Sequence, residues 1–139
     1  MLVLNGPNLN LLGRREPEIY GRETLDDIMA TLSAAYPSLR IDHFQSNHEG
    51  ELIDRLHQCG FDDECLGVVF NAGGYTHSSV ALGDAIRAIK VPVVEVHISN
   101  VSSRESFRQV SMIGGACLGT IAGFGSDVYR LGIEALLHR

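Results

Sequence analysis

Residues 93–101, Val-Val-Glu-Val-His-Ile-Ser-Asn-Val, decide the fold because they join a buried strand to a polar end. The β-branched run at their start is typical of a parallel strand that is covered on both faces. Side chains alternate across a strand, so Glu95, His97 and Ser99 are predicted to share one side while the aliphatic residues between them face the other. A carboxylate, an imidazole and a hydroxyl on one side of a strand end indicate a site and not only a packing surface.

The rest of the chain alternates strand patterns with helix patterns. Apolar runs predict strands at 2–4, 40–45, 66–70, 91–96 and about 118–122, and helical spacing predicts helices from Thr24 to about 36, at 49–59, from Ser78 or Ser79 to about 89, around 103–110 and at about 127–137. No segment is repeated. This order predicts an α/β, flavodoxin-like fold, in which a five-stranded parallel sheet of order 2-1-3-4-5 carries helices on both faces.

Length and composition favour one globular domain over residues 1–139, with 45% hydrophobic and 20% charged residues. The net charge of −6 argues against nucleic acid or an anionic membrane as the main partner. No apolar run reaches the roughly 18 residues of a membrane span, and the first residues do not resemble a leader, so a cytoplasmic protein is expected. The cysteines Cys59, Cys65 and Cys117 lack CxxC spacing, so reduced core thiols are expected, without a disulfide.

Three predicted strands end in polar residues that should meet at one edge of the sheet. These ends are Asn5-Gly-Pro-Asn8, Asn71-Ala-Gly-Gly74 and the Glu95–Ser99 stretch. Ligands of open parallel sheets bind beyond the carboxyl ends of the strands, where the strand order reverses. With His77 shortly after Asn71, a binding site is favoured over a simple turn, and a carboxylate beside His97 suits a general acid.

Residues 9–23 form a second unusual feature, because they are longer than an ordinary βα connection and show no sustained period. A solvated charged loop is the ordinary interpretation. The chemical interpretation is a mobile active-site loop in which an arginine and Tyr20 fold over a ligand. A guanidinium beside a phenol favours phenolate, which makes tyrosine usable as a base.

Two further groupings have a chemical interpretation and an ordinary one. Arg104 and Arg108 are four residues apart, hence on one face of a predicted helix, where they would form an anion clamp or merely surface ion pairs. An alternative function, a metal-dependent hydrolase or lyase, would use His77, Glu95 and His97 as ligands, although no HExxH or HxH pattern supports it.

Four ordered blocks resemble one family, the type II 3-dehydroquinate dehydratases. They are NGPNLNLLGRREPEIYG at 5–21, QSNHEG at 45–50, NAGGYTHSSVA at 71–81 and EVHISN at 95–100. The resemblance covers essentially the whole chain. It implies a lyase that dehydrates 3-dehydroquinate to 3-dehydroshikimate through an enolate, by anti elimination, with neither a metal nor an organic cofactor.

The resemblance also assigns catalytic roles. Tyr20 corresponds to the base that removes a proton alpha to the ketone, and Arg15 to the cation that lowers its pKa. His97 corresponds to the acid that protonates the departing hydroxyl, with Glu95 orienting it. Asn8 matches the residue that stabilises the enolate.

Substrate-binding positions follow from the same resemblance and are Asn71, His77, Asp84, Ile98, Ser99 and Arg108. Asp84 matches a position that reaches a neighbouring subunit's site, and the implied assembly is a homo-oligomer, a dodecamer of trimers. Gly83 departs from the pattern, since the family commonly has arginine there.

Rival classes lack their own signals. A receiver domain has acidic residues after the first strand, and a dinucleotide-binding domain has GxGxxG there. This chain instead has Asn5 followed by Gly-Pro-Asn. A Schiff-base mechanism would need Lys90, the sole lysine, which precedes a strand at the end away from the polar edge.

Overall fold

The computed structural model describes residues 1–139 and contains one parallel sheet with the strand order β2-β1-β3-β4-β5. The strands are β1 (Leu2–Asn5), β2 (Asp42–Gln45), β3 (Val68–Asn71), β4 (Val93–His97) and β5 (Gly119–Ala122). Every neighbouring pair is parallel, and β2 and β5 form the edges. The predicted flavodoxin-like order is therefore confirmed.

Five α-helices connect the strands: α1 (Pro17–Tyr20), α2 (Leu25–Ala35), α3 (Glu49–Gly60), α4 (Val80–Ala88) and α5 (Asp127–Leu137). Thr24 begins α2 as predicted, because its hydroxyl accepts from the Asp27 amide at 3.1 Å while the Asp27 carboxylate accepts from the Thr24 amide at 3.0 Å. This reciprocal pair satisfies two amides that have no partner inside the helix. No helix combines the length and hydropathy needed to cross a membrane.

The alternation of strand side chains divides the core between the two faces of the sheet. Val3, Val69 and Val96 pack with residues of α2 and α5, whereas Leu4 and Phe70 pack with residues of α3 and α4. Because both faces of the sheet are covered, its central strands are apolar almost throughout. The two polar residues of β4 are Glu95 in the middle of the strand and His97 at its end, and both are buried.

Two segments differ from the sequence prediction. Residues 9–23 contain a 3₁₀ turn at Leu9–Leu11 and the four-residue helix α1, and the side chains of Leu9 and Leu12 anchor the start of the segment in the core. The helix predicted around 103–110 is instead two 3₁₀ turns, Val101–Ser103 and Ser106–Gln109. Further 3₁₀ turns occupy Gly73–His77 and Gly114–Ala116.

The prediction that all the cysteines are reduced is wrong for Cys59 and Cys65, which form a disulfide. Tight turns after α3 fold the chain back, with amide hydrogen bonds from Asp62 to Cys59 and from Cys65 to Asp62. The two Cα atoms thereby come within 5.9 Å, a separation that a disulfide can bridge. Cys117 remains free, and its burial together with the Glu95 charge raises the pKa of its thiol to about 12.

Candidate active site

A cleft of about 220 Å³ lies at the carboxyl ends of β1, β3 and β4. Its lining brings together the loop after β1, the segment that carries α1, the turn after β3 and the segment after β4. Among the predicted site residues, those that line it are Asn8, Arg15, Tyr20, Asn71, His77, His97, Ile98, Ser99 and Arg108. The segments after β1 and β3 approach each other closely here, because Gly6 lies against Ala72 where a Cβ would come within 2.4 Å of the Ala72 carbonyl oxygen.

Glu95 and His97 form a buried pair at the end of β4. His97 Nε2 lies 2.5 Å from Glu95 Oε1, and the two residues are only 7% and 1% exposed. A carboxylate accepts, so Nε2 carries the hydrogen in this pair. The imidazole is thereby fixed by one nitrogen, and Nδ1 is the nitrogen that Glu95 leaves free.

Two hydroxyl groups complete the surroundings of the Glu95 carboxylate. The Ser111 hydroxyl lies 3.0 Å and 3.1 Å from its two oxygens, and the Thr120 hydroxyl donates to Oε2 at 3.2 Å. Burial alone would raise the pKa of the Glu95 carboxyl, but the hydrogen bond and charge of His97 and the two hydroxyl donors outweigh burial and hold that pKa below its ordinary value. Glu95 is therefore an anion at neutral pH.

Tyr20 ends α1 at the opposite side of the cleft, between two arginines. Arg104 Nη1 donates to the Tyr20 hydroxyl at 2.8 Å, and the Cζ atom of Arg104 lies 5.3 Å from the centre of the Tyr20 ring. Arg15 approaches the same ring, with Cζ 5.4 Å from the centre. Arg104 as a partner of Tyr20 was not predicted, and a contact across 84 residues of sequence leaves no local pattern that could have revealed it.

The two arginines after β4 do not share a helix face. Arg104 also donates to the Ser99 hydroxyl at 3.2 Å, whereas Arg108 pairs with Glu105 at 2.9 Å and lies over the Phe107 ring. Both guanidinium groups nevertheless line the cleft. The cleft therefore offers positive charge to an anionic ligand.

His77 lies beside His97 but is held differently. Its Nδ1 is 2.7 Å from the Val110 carbonyl oxygen, to which it must donate, and its ring stacks on that of His97 with centres 6.3 Å apart. The hydrogen-bond partners of Glu95 are His97, Ser111 and Thr120, and His77 is not among them. No group of three histidine, cysteine or carboxylate side chains converges as a metal site. The metal-dependent alternative is therefore not supported.

Asn71 belongs to a buried hydrogen-bond chain under the cleft. Its Nδ2 donates to the Tyr129 hydroxyl at 3.1 Å, and that hydroxyl donates to Asn5 Oδ1 at 2.6 Å. Asn71 Oδ1 accepts from the Gly73 amide at 3.2 Å. This chain fixes which way the Asn71 amide points and leaves one of its two N–H hydrogens for the cleft.

Asn8 and Asp84 complete the predicted set. Asn8 adopts a left-handed backbone conformation with φ of 69°, and its backbone N–H donates to Asn47 Oδ1 at 3.0 Å. Asp84 lies exposed on α4, pairs with Arg87 at 3.6 Å, and does not line the cleft of its own chain.

A second concavity, of about 270 Å³, lies at the opposite end of the sheet and is lined in part by Met1, Arg40 and Cys59. Its lining contains no tyrosine, histidine or serine. It carries the carboxylates of Asp42, Asp62 and Glu64 but not the tyrosine and histidines that the first cleft brings together.

The chain is similar to one known family over nearly its whole length. The family model for class II dehydroquinase matches residues 1–137. The 3-dehydroquinate dehydratase of Rhizobium etli is 59% identical, covering 98% of this chain and 94% of that protein, and the one of Pelodictyon phaeoclathratiforme is 56% identical, covering 99% and 91%. The crystal structure of the type II dehydroquinase of Butyrivibrio crossotus superposes with a TM-score of 0.94 at 41% identity, covering 98% of this chain and 95% of that one.

Proposed function

The chain belongs to the class II dehydroquinase family, and from that premise we propose that it dehydrates 3-dehydroquinate with Tyr20 as base and His97 as acid. Family membership makes the chain a hydro-lyase of 3-dehydroquinate. One observation carries the assignment of residues. A phenol held by arginine and an imidazole held by a carboxylate line the same cleft.

Tyr20 removes the proton at C2 of the substrate, which is acidic because it lies alpha to the ketone. The electrons of that C–H bond move into the ketone and form an enolate. Arg104 Nη1, 2.8 Å from the phenol oxygen, holds that oxygen by a hydrogen bond and places positive charge beside it. Arg15 adds a second positive charge at the ring.

His97 then gives a proton to the hydroxyl at C1. The enolate collapses, the C1–O bond breaks, and water leaves as the C1–C2 double bond forms, so that one water is lost overall and no oxidant is needed. Nε2 of His97 is engaged with Glu95, so Nδ1 delivers the proton. The Glu95 anion stabilises the protonated imidazole before the transfer.

The remaining polar residues bind the substrate and the charge that develops on it. Asn8 supplies an amide for the enolate oxygen, directly or through a water. Arg108 and the Ile98–Ser99 backbone hold the carboxylate and hydroxyl groups, and Asn71 and His77 contribute further hydrogen bonds. Holding a small substrate at several points orients the C–H bond towards the base.

The segment at 9–23 acts as a mobile loop that brings the base to the acid. Support comes from α1, none of whose residues is buried, whereas the β4 residues that carry the acid are all buried. Asp84 acts at the cleft of a neighbouring copy in a homo-oligomer, for which its exposure and its distance from its own cleft provide the support. The dodecamer that the resemblance implies is tested by light scattering of the purified protein.

The test is to mix purified protein with 3-dehydroquinate and follow the ultraviolet absorbance of the conjugated enone product. Tyr20→Phe and His97→Ala should each lower kcat by at least about three orders of magnitude, since each removes a proton-transfer group. Exhaustive chelation should leave the rate unchanged.

Matched controls are Tyr36→Phe, directly after α2, and His57→Ala on α3, neither of which lines the cleft. Circular dichroism confirms that every variant is folded. Absence of turnover by the folded wild-type protein would overturn the function, whereas near-normal rates in Tyr20→Phe or His97→Ala would remove that residue from its role.

A further inference from the structure

The Ser111 hydroxyl occupies a position that forces its proton towards Glu95. It accepts hydrogen bonds from the Gly114 amide at 2.8 Å and the Ile113 amide at 3.3 Å. These two amides occupy the oxygen's lone pairs, so its single hydrogen must be donated. The acceptors in reach are the two oxygens of the Glu95 carboxylate, at 3.0 Å and 3.1 Å.

The segment that carries Ser111 is held by the turn Gly73–His77 and packs against α4. The Met112 amide donates to the Thr76 carbonyl at 2.7 Å. The Met112 carbonyl lies against Gly83, where an added Cβ would come within 2.7 Å of its oxygen. A side chain at position 83 would therefore push the segment away, and glycine there permits the approach that brings Ser111 to Glu95.

We propose that Ser111 is a positioning residue for the acid, with Thr120 as a second and weaker donor. Neither residue lines the cleft, and both are linked to it through Glu95 and then through His97, which does line it. Their hydroxyl groups keep the carboxylate ionised and oriented so that it holds the protonated imidazole. This role rests on the proposed function of His97.

The groups that face Glu95 determine how the role depends on pH. His97 lies on the same strand, and Cys117, just before β5, presents a thiol that burial keeps neutral. On α4 the charged group nearest this segment is Arg87, which lies beside Gly115 and pairs with Asp84. Removing the Ser111 donor favours protonation of Glu95, and a neutral Glu95 no longer supports the imidazolium.

The experiment compares kcat, KM and the pH profile of kcat for wild type, Ser111→Ala and Thr120→Val. Ser111→Ala should lower kcat at least about tenfold with KM changed less than about twofold, because the lost bond is to a charged group away from the substrate. The acidic limb of its pH profile should move to higher pH. Thr120→Val should also lower kcat and move the acidic limb to higher pH, but both effects should be smaller than those of Ser111→Ala.

A double-mutant cycle separates this role from simple support of the turn. In a Glu95→Gln background, where the charge is already absent, Ser111→Ala should change kcat less than about twofold. Ser33→Ala on α2 makes the same atomic change far from Glu95 and should leave kcat unaltered.

An unchanged acidic limb in Ser111→Ala, or an equal loss of kcat in both backgrounds, would overturn the proposal. If Ser111→Ala fails to fold, Thr120→Val carries the test by the same cycle. Failure of the proposed function is a different result, since it is absence of turnover by wild type.

Discussion

Replacing Arg104 by glutamine tests how this protein makes a phenol into a base. The substitution removes the positive charge and, because glutamine is shorter than arginine, also the donor that reaches the Tyr20 hydroxyl. Arg104 Nη1 is 2.8 Å from the Tyr20 hydroxyl, and the side chain is only 12% exposed. The charge is therefore only partly screened by water.

The distance sets the size of the effect. Unit charges 2.8 Å apart attract by about 6 kcal/mol at an effective dielectric constant of about 20 and by about 1.5 kcal/mol in bulk water. Hydrogen bonds to charged groups contribute about 1.5 to 3 kcal/mol net in proteins. A loss of about 3 kcal/mol in stabilisation of phenolate corresponds to a fall of about two orders of magnitude in kcat.

The assay is steady-state turnover of 3-dehydroquinate by wild type, Arg104→Gln and Arg104→Lys. Lysine keeps the charge but replaces the planar guanidinium, whose Nη1 donates to both Tyr20 and Ser99, by an ammonium on a flexible stem, so its kcat should be intermediate. Arg130→Gln is the matched control, because that arginine lies on α5 and pairs with Asp127. A kcat of Arg104→Gln within about threefold of wild type would refute the reasoning, and a rise in KM alone would assign Arg104 to substrate binding.

Two further predictions concern stability. Glu95→Gln should remove a pH-dependent contribution to stability. Because the pKa of the Glu95 carboxyl is lowered in the folded state, this group stabilises the fold above its unfolded pKa and loses that contribution on acidification. The difference in free energy of unfolding between wild type and variant, measured in urea, should therefore shrink from about pH 7 to about pH 4. A constant gap would contradict this. Tyr129→Phe should lower the free energy of unfolding by about 1 to 3 kcal/mol and raise KM, because the Asn5 and Asn71 amides lose their shared hydroxyl. Unaltered unfolding and KM would show that the hydroxyl is dispensable.

The sheet and its long helices were predictable because their hydrophobic periods are local. The sequence indicates a helix at about 127–137, and α5 spans Asp127–Leu137. The Thr24 cap was equally readable, since both of its hydrogen bonds join residues three apart. The helix α1 and the 3₁₀ turns around 103–110 were not predictable. They have four, three and four residues, which are too few to show a helical period.

The site was predictable only where chemistry concentrates at strand ends or matches the family blocks. Glu95 and His97 are two residues apart on one strand, so their pairing follows from alternation alone. The partners that complete the site come from distant segments: Arg104 reaches Tyr20 across 84 residues, and Ser111 reaches Glu95 across 16. The Cys59–Cys65 bond depends likewise on turn geometry after α3, which the spacing of these cysteines did not indicate.

The close approach at Gly83 bears on how this protein can be engineered. Replacing an unusual residue by the one that relatives favour is a common route to greater stability. The resemblance implies arginine at position 83, where even a Cβ would meet the Met112 carbonyl oxygen at 2.7 Å. Such a consensus substitution should be deleterious in this background, and it becomes admissible only if residues 110–113 are redesigned together with it.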